Sequence, residues 1–139
     1  MINYSKKINL LFVVGAYPPA DKEGGPGVMI KALAEHLGEH CEIKVATTNK
    51  NGNEKLSFAN ETLKTEYAEV FYGDYNKSLF PYHSFSMLKY IARVVDKTDF
   101  LFISSSWNLY GVIAGIIARI KHKPYAVYSH GSYHPVRIK

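Results

Sequence analysis

The sequence predicts an α/β protein with an open, doubly wound, mainly parallel sheet of about five strands. The run Ile8–Val14 is apolar except for Asn9, which is typical of a strand buried on both faces. Strand and helix patterns then alternate along the 139 residues, and such alternation implies parallel pairing through right-handed crossovers. The length suits one compact unit, so we expect residues 1–139 to form a single domain.

The first half of the chain supplies three of these strands and one helix. After the first strand, a helix is predicted from about Pro26 to Leu37, because its apolar positions recur at helical spacing and Gly38 follows. Glu42–Thr48 is predicted to be the second strand. Lys50–Lys64 is polar and rich in Asn and Gly, which predicts a loop. Thr65–Gly73 alternates enough to be a third strand, at an edge of the sheet.

The second half continues the alternation. Ser84 can cap a second helix, Asp99–Ser105 is predicted to be the fourth strand and Pro124–His130 the fifth. Between them, Asn108–Lys121 has the strongest helical pattern. One side of this helix carries large aliphatic residues, and another carries the small residues Gly111, Ala114, Gly115 and Ala118. The small side is expected to pack closely against the sheet or a neighbouring helix.

Ligands of such sheets bind beyond the carboxyl ends of the strands. Three loops should meet there: Gly15–Gly27, Ser104–Asn108 and Ser129–Pro135. The first of them enters the helix through Gly24, Gly25 and Gly27. A helix start has unpaired N–H groups and partial positive charge, and glycines let a phosphate approach it. Turns alone could also explain these glycines.

Two common nucleotide motifs do not fit this loop. The dinucleotide fingerprint needs a further glycine and an acid after the second strand, where this chain has Thr47, Thr48 and Asn49. A nicotinamide dehydrogenase is disfavoured for that reason. The P-loop motif needs Gly-Lys-Ser/Thr, which does not follow either.

The histidines fall into two kinds. His36 and His40 fit an inverted zinc-protease pattern, but Gly38 lies between them where the helix should stop, so we expect no metal. His130 ends the fifth strand and is followed by Gly131, which would place its ring in the ligand crevice. A histidine bonded only within its turn is the alternative.

The composition indicates the cellular compartment and the kinds of partner to expect. A single cysteine, Cys41, suits a reducing cytoplasm and excludes an intramolecular disulfide. No apolar run approaches the roughly 20 residues that a membrane span needs. The net charge of +5 fits an anionic partner without selecting one.

Two segments resemble the family 4-type glycosyltransferases of the GT-B fold. "YPPADKEGGPGVMIKALAEHL" is similar to that family's first loop and helix. "DFLFISSSWNLYGVIAGIIARIKHKPYAVYSHGSYHP" is similar to a later segment that ends in His-Gly and proline. The fourth strand departs from the family, because it ends in serines and Trp107 where histidine-containing sequence is usual.

The resemblance implies the Rossmann-like, acceptor-side half of a GT-B fold and transfer of a sugar, with retention, from a nucleotide-sugar. The implied acceptor is an envelope component or a polysaccharide, with no cofactor or essential metal and no nucleic acid as partner. It assigns His130 a catalytic role in contact with the donor sugar. It places the substrate-binding residues at Gly24, Gly25, Gly27, Trp107 and Gly131.

The chain stops at Lys139, soon after His-Gly, and the nucleotide-binding C-terminal domain of that family would come later. We therefore expect an incomplete N-terminal domain that is inactive alone, with a separate C-terminal half as a candidate partner. We expect it in the cytoplasm, with contact to the inner face of the cell membrane left open. The alternative is a stand-alone, non-enzymatic module that binds phosphate, a nucleotide or another protein.

Overall fold

The computed structural model describes residues 6–77, 83–104 and 108–130. Within these ranges the chain forms eight strands and three α-helices. The helices are α1 Gly25–Leu37, α2 Phe85–Val94, which continues into a 3-10 turn at Val95–Lys97, and α3 Leu109–Ile120. The strands are β1 Ile8–Ala16, β2 Cys41–Thr48, β3 Lys50–Asn51, β4 Glu54–Lys55, β5 Glu61–Lys64, β6 Glu69–Gly73, β7 Phe100–Ser104 and β8 Tyr125–Val127.

Six strands form the main sheet in the order β5-β6-β2-β1-β7-β8. The neighbours from β6 to β8 pair in parallel, whereas β5 runs antiparallel to β6 at one edge. β3 and β4 form a separate antiparallel hairpin. β1 lies in the middle of the sheet, between β2 and β7, because its mainly apolar run can be buried on both faces.

The prediction of an open, doubly wound, Rossmann-like sheet of about five strands was wrong. The described residues hold a mixed sheet of six strands with an antiparallel edge pair, and a second sheet of two strands. The extra strands come from Lys50–Lys64, which was predicted to be a loop. β5 is exposed along its whole length, so main-chain pairing with β6 supports it and hydrophobic periodicity does not reveal it. β6 is consequently an interior strand and not the edge.

The core lies on both sides of the main sheet. On one side, α2 and α3 cover alternate residues of the strands, and Phe71 stacks on Tyr90 with ring centroids 4.4 Å apart. On the other side α1 packs through Ile30 and Ala34. Burial of these apolar side chains is the main stabilising contribution, at about 25 cal/mol for each Å² removed from water.

α2 begins with the side-chain cap that the sequence predicts, whereas α1 begins without a side-chain cap. Ser84 caps α2 by accepting a hydrogen bond from the Met87 N–H at 3.3 Å, so the predicted cap is confirmed. α1 starts after Gly24, which has no side chain to cap the helix, with Pro26 in the first turn. The first N–H groups of α1 therefore lack a side-chain cap.

α3 packs on its small side. Gly111, Ala114 and Ala118 are buried, and the expected close packing against the sheet is confirmed. The large residues Val112, Ile116 and Ile120 are instead 53, 52 and 68% exposed. They form a row along the outer face of α3, because residues four apart lie above one another on a helix.

Candidate functional site

A cavity of about 160 Å³ lies beyond the carboxyl ends of β1 and β7. We call it the carboxyl-end cavity. It takes residues from each of the three loops that the sequence placed at this edge of the sheet. Its lining residues are Val14, Gly15, Ala16, Glu23, Pro26, Gly27, Ser104, Asn108, Tyr110, Ser129 and His130.

His130 and Ser104 are joined by a short polar contact at this cavity. The Nε2 atom of His130 lies 2.6 Å from the Oγ atom of Ser104, at the end of β7. Ser104 is 1% exposed, and its carbonyl accepts a hydrogen bond from the Tyr110 hydroxyl at 3.1 Å. Ser104 therefore fixes the ring, and Nδ1 is the ring nitrogen left to contact a ligand.

The surroundings of His130 favour the neutral imidazole. Partial burial lowers the pKa of His130 below its usual value of 6.5, because the charged ring is harder to hydrate there. The ring of Tyr128 meets it edge to face with centroids 4.5 Å apart. His130 also has φ 49°, a left-handed conformation that is uncommon outside glycine. The backbone of His130 thus has an uncommon conformation, and Ser104 and Tyr128 contact its ring beside the cavity.

The three glycines before and within α1 have different reasons to be glycine. Gly24 has φ 73°, which favours a residue without Cβ. A Cβ on Gly27 would lie 2.4 Å from the carbonyl oxygen of Ala16, so this glycine lets α1 pack against the end of β1. Gly25 has neither reason, since a Cβ there would meet no atom within 4 Å and its φ is ordinary. Space next to Gly25 is therefore open to a ligand.

A polar clamp attaches the glycine loop to the β3–β4 hairpin. The Glu23 carboxylate pairs with the Lys50 ammonium and accepts a hydrogen bond from the Gly52 N–H at 2.7 Å. The Lys22 N–H donates to Asn51 Oδ1 at 2.9 Å. The side chain of Glu23 is 8% exposed, so this pair is shielded from solvent and holds the loop firmly.

Sequence reasoning missed Glu23, Lys50 and the hairpin. Gly52-Asn53 was the available signal, because these two residues form the loop between Asn51 and Glu54, and tight hairpin turns favour a glycine with positive φ, here 64°, at the first loop position. Tyr110 was missed as well. No pattern marks it, since it lies on the helix face that was expected only to pack.

The predicted site residues are distributed unevenly. Gly27 and His130 line the carboxyl-end cavity together. Gly24 and Gly25 lie at the start of α1 but are not lining residues. Trp107 and Gly131 fall outside the described residues.

The polar end of β2 has a structural role. The Thr48 hydroxyl donates to the Gly15 carbonyl at 2.6 Å. The Asn49 side chain donates to the Phe58 carbonyl at 3.1 Å and accepts from the Tyr75 N–H at 2.8 Å. These side chains therefore tie neighbouring loops together.

Among the described residues, no group of three or more histidine, cysteine or acidic side chains is arranged to hold a metal ion. His36 bonds to the Ala32 carbonyl at 2.8 Å, and α1 ends at Leu37, before His40. In the same residues, every helix is too short or too polar to cross a bilayer.

Comparison with known proteins identifies no relative. The chain matches no protein-family model, no curated protein and no solved structure. Functional inference therefore depends on the residues of the carboxyl-end cavity and on the two segments described above.

Proposed function

We propose that this chain contributes the acceptor side of a glycosyltransferase of the family 4 type, which moves a sugar from a nucleotide-sugar to an envelope or polysaccharide acceptor. The observation that carries the proposal is that Gly27, at the start of α1, and His130 line one cavity. These residues belong to the two segments that resemble that family, and they lie about a hundred positions apart in the chain.

The start of α1 and the ring of His130 suit the chemistry of sugar transfer. When the sugar–phosphate bond breaks, negative charge develops on the leaving diphosphate. The uncapped N–H groups at the start of α1 favour an anion by about 0.3–1 kcal/mol when exposed, and by up to about 2 when partly buried. A neutral His130, fixed through Nε2, can hydrogen-bond to a sugar hydroxyl through Nδ1 without adding a charge.

The carboxyl-end cavity supplies only part of a transferase site. Its 160 Å³ lies below the roughly 300–1,000 Å³ of most ligand pockets. Its described lining residues include no lysine or arginine, although phosphoryl leaving groups are usually stabilised by such cations. In this proposal a nucleotide-binding half supplies them, and this chain has no transferase activity alone.

The proposal places the protein in the cytoplasm, at the inner face of the membrane where lipid-linked acceptors are used. Arg119, Lys121 and Lys123 form a basic group at the end of α3 that suits anionic headgroups. Lys121 already pairs with Asp96 at 3.0 Å, so this attraction is modest.

The second candidate is a non-enzymatic module that binds phosphate, a nucleotide or another protein. The exposed row Val112, Ile116 and Ile120 favours it, together with the half-exposed Tyr125 and Val127 of the edge strand β8. Contiguous apolar surface of this kind often marks an interface. The nucleotide-binding half of a transferase would also cover such a surface.

Binding and turnover together test the proposal. A panel of UDP- and GDP-sugars is titrated against the wild-type chain and His130→Ala, with inorganic phosphate as the simpler anion. We expect weak nucleotide-sugar binding that His130→Ala reduces several-fold, whereas phosphate binding, which needs only the start of α1, is unchanged.

The result also separates the candidates. Equal loss of phosphate and nucleotide-sugar binding, or binding of phosphate alone, favours the module. Absence of any nucleotide-sugar binding refutes the transferase proposal. Turnover of labelled nucleotide-sugar by this chain alone contradicts the expectation that a second half is required.

A further inference from the structure

A second cavity lies further along α1, beside Lys31, Ala34 and Glu35. Its volume is about 260 Å³, and it is formed between α1 and the turn that joins β5 to β6. We call it the Tyr17 cavity. Its lining residues are Tyr17, Pro18, Lys31, Ala34, Glu35, Thr65, Glu66 and Tyr67, none of which lines the carboxyl-end cavity.

Tyr17 is the polar group at the base of this cavity. It is only 5% exposed, yet its hydroxyl makes no hydrogen bond within the part of the chain that the structure describes. Burial, and then the nearby charge of Glu35, raise the pKa of Tyr17 to about 12. Among the described residues, the enclosed side-chain oxygens that lack a partner do not include that of Tyr17, so water reaches this oxygen although the residue is buried. A ligand donor in the cavity can replace that water.

The rim of the Tyr17 cavity is negatively charged. Glu35 and Glu66 contribute two carboxylates, and Lys31 contributes one ammonium 3.2 Å from the Glu35 carboxylate. The charge of Glu66 is the main reason that the pKa of Tyr67 is raised. Hydrogen bonding to Glu66 is the next cause, and desolvation and the charges of Glu35 and Glu39 contribute less. The rim therefore carries a net negative charge beside two aromatic rings.

The walls of this cavity are held in place. The Thr65 hydroxyl donates to the Ala68 carbonyl at 2.9 Å and accepts from the Ala68 N–H at 3.0 Å, which fixes the turn that carries Glu66 and Tyr67. On the α1 side, a Cβ on Gly38 would lie 3.1 Å from the Tyr67 Cβ, so Tyr67 packs closely on the end of the helix. A fixed site loses little freedom when a ligand binds.

We propose that the Tyr17 cavity binds an organic cation, an ammonium or guanidinium group on a short apolar body. The apolar body would lie against Pro18 and Ala34, with the cation between the Tyr67 ring and the carboxylates of Glu35 and Glu66. Cations are attracted both to aromatic faces and to carboxylates. An N–H of the ligand would donate to the unpartnered Tyr17 oxygen.

The size of the cavity limits the ligand. At about 260 Å³ it is slightly smaller than the roughly 300–1,000 Å³ of most small-molecule sites, so it accepts a side chain or a small amine. A free amine and an arginine side chain of another protein share this chemistry. The inference is independent of sugar transfer, because it uses none of the residues of the carboxyl-end cavity.

The test is a titration of the ¹⁵N-labelled full chain followed by amide chemical shifts. The probes are phenethylammonium, its neutral analogue 2-phenylethanol, benzyltrimethylammonium and N-acetyl-L-argininamide, at constant ionic strength. We expect saturable shifts at Ala34, Thr65 and Tyr67 with the cations and none with the neutral analogue. Stronger binding of phenethylammonium indicates a free amine, and stronger binding of the arginine probe indicates a protein side chain.

Variants check which groups act. Glu66→Gln should weaken binding of both small cations by up to about five-fold, as for an exposed ion pair. The matched control Glu61→Gln, an exposed carboxylate of β5 outside the cavity, should leave it unchanged. Tyr17→Phe should weaken phenethylammonium by about two- to ten-fold, the effect of one hydrogen bond. Tyr17→Phe should leave the binding of benzyltrimethylammonium unchanged, because this cation has no N–H to donate.

Three results would overturn the proposal. These are equal shifts with 2-phenylethanol, no saturable shift with any cation, or equal effects of Glu66→Gln and Glu61→Gln. The comparison between phenethylammonium and 2-phenylethanol uses the wild-type chain, so it decides the matter even where a variant fails to fold.

Discussion

Gly27→Ala should destabilise the protein because the new Cβ has no room. It would lie 2.4 Å from the Ala16 carbonyl oxygen and 3.1 Å from the Tyr17 Cα, and both atoms belong to the main chain, which moves less easily than a side-chain end. Overpacking of this kind costs about 1–3 kcal/mol, and we take the upper end because of the short distance. Alanine regains up to about 1 kcal/mol through its helix propensity.

The expected net loss is therefore about 2 kcal/mol in the free energy of unfolding, or a factor of about 30 in the folded-to-unfolded ratio. Urea unfolding followed by circular dichroism measures it. Gly25→Ala is the matched control, because apart from its chain neighbours its Cβ meets nothing within 4 Å. The helix propensity of alanine is opposed there by the restriction that Pro26 places on the preceding residue, so we expect a change of less than about 1 kcal/mol. Equal stabilities of the two variants, or a Gly27→Ala protein as stable as wild type, would refute the packing argument.

Three further predictions concern the cap, a strand link and the histidine. Ser84→Ala removes the acceptor for the Met87 N–H and should cost about 1 kcal/mol in urea unfolding; a loss below about 0.3 would contradict the cap. Asp99 accepts the Asn9 N–H at 2.8 Å, and this bond lowers its pKa, so its contribution is present at neutral pH and is lost as the pH falls below about 3.8. Asp99→Asn should cost at most about 1 kcal/mol at pH 7 and nothing at pH 2, and an equal cost at both would contradict this. The Cε1–H resonance of His130 should titrate below pH 6.5, and a midpoint above 6.5 would contradict burial as the controlling effect. Because the folded state resists protonation of this ring, the free energy of unfolding should fall as the pH falls below about 6.5.

Hydrophobic periodicity was sufficient for the elements that are buried. β1 and β7 come from mainly apolar runs, β2 from a short segment in which Ile43, Val45 and Ala46 are apolar, and α1 from apolar residues at helical spacing. These elements were predicted close to their observed bounds. The prediction that His130 would lie at the ligand edge followed from its expected position at the end of a fifth strand, Pro124–His130. The observed strand β8 is shorter and ends at Val127, three residues before His130. Its contact with Ser104 could not be predicted, because it joins residues 26 positions apart through the sheet register.

Polar and exposed elements were beyond the reach of the same reasoning. β5 has no buried side chain, and the hairpin at Lys50–Lys55 depends on its turn and on the contact with Glu23. In α3 the small side was expected to pack closely, and it does, but nothing in the sequence indicated that the large side chains opposite would remain exposed. The Tyr17 cavity also has no sequence signal, because its walls come from three separate segments.

The central claim is that the start of α1 and the ring of His130 act on one ligand. The most direct measurement is a titration of the labelled chain with a nucleotide-sugar, following the amides of Gly25 and Gly27 and the imidazole of His130 in the same sample. We predict that all three respond with one dissociation constant. A response of the amides without the imidazole, different dissociation constants, or no response at either group would contradict the claim.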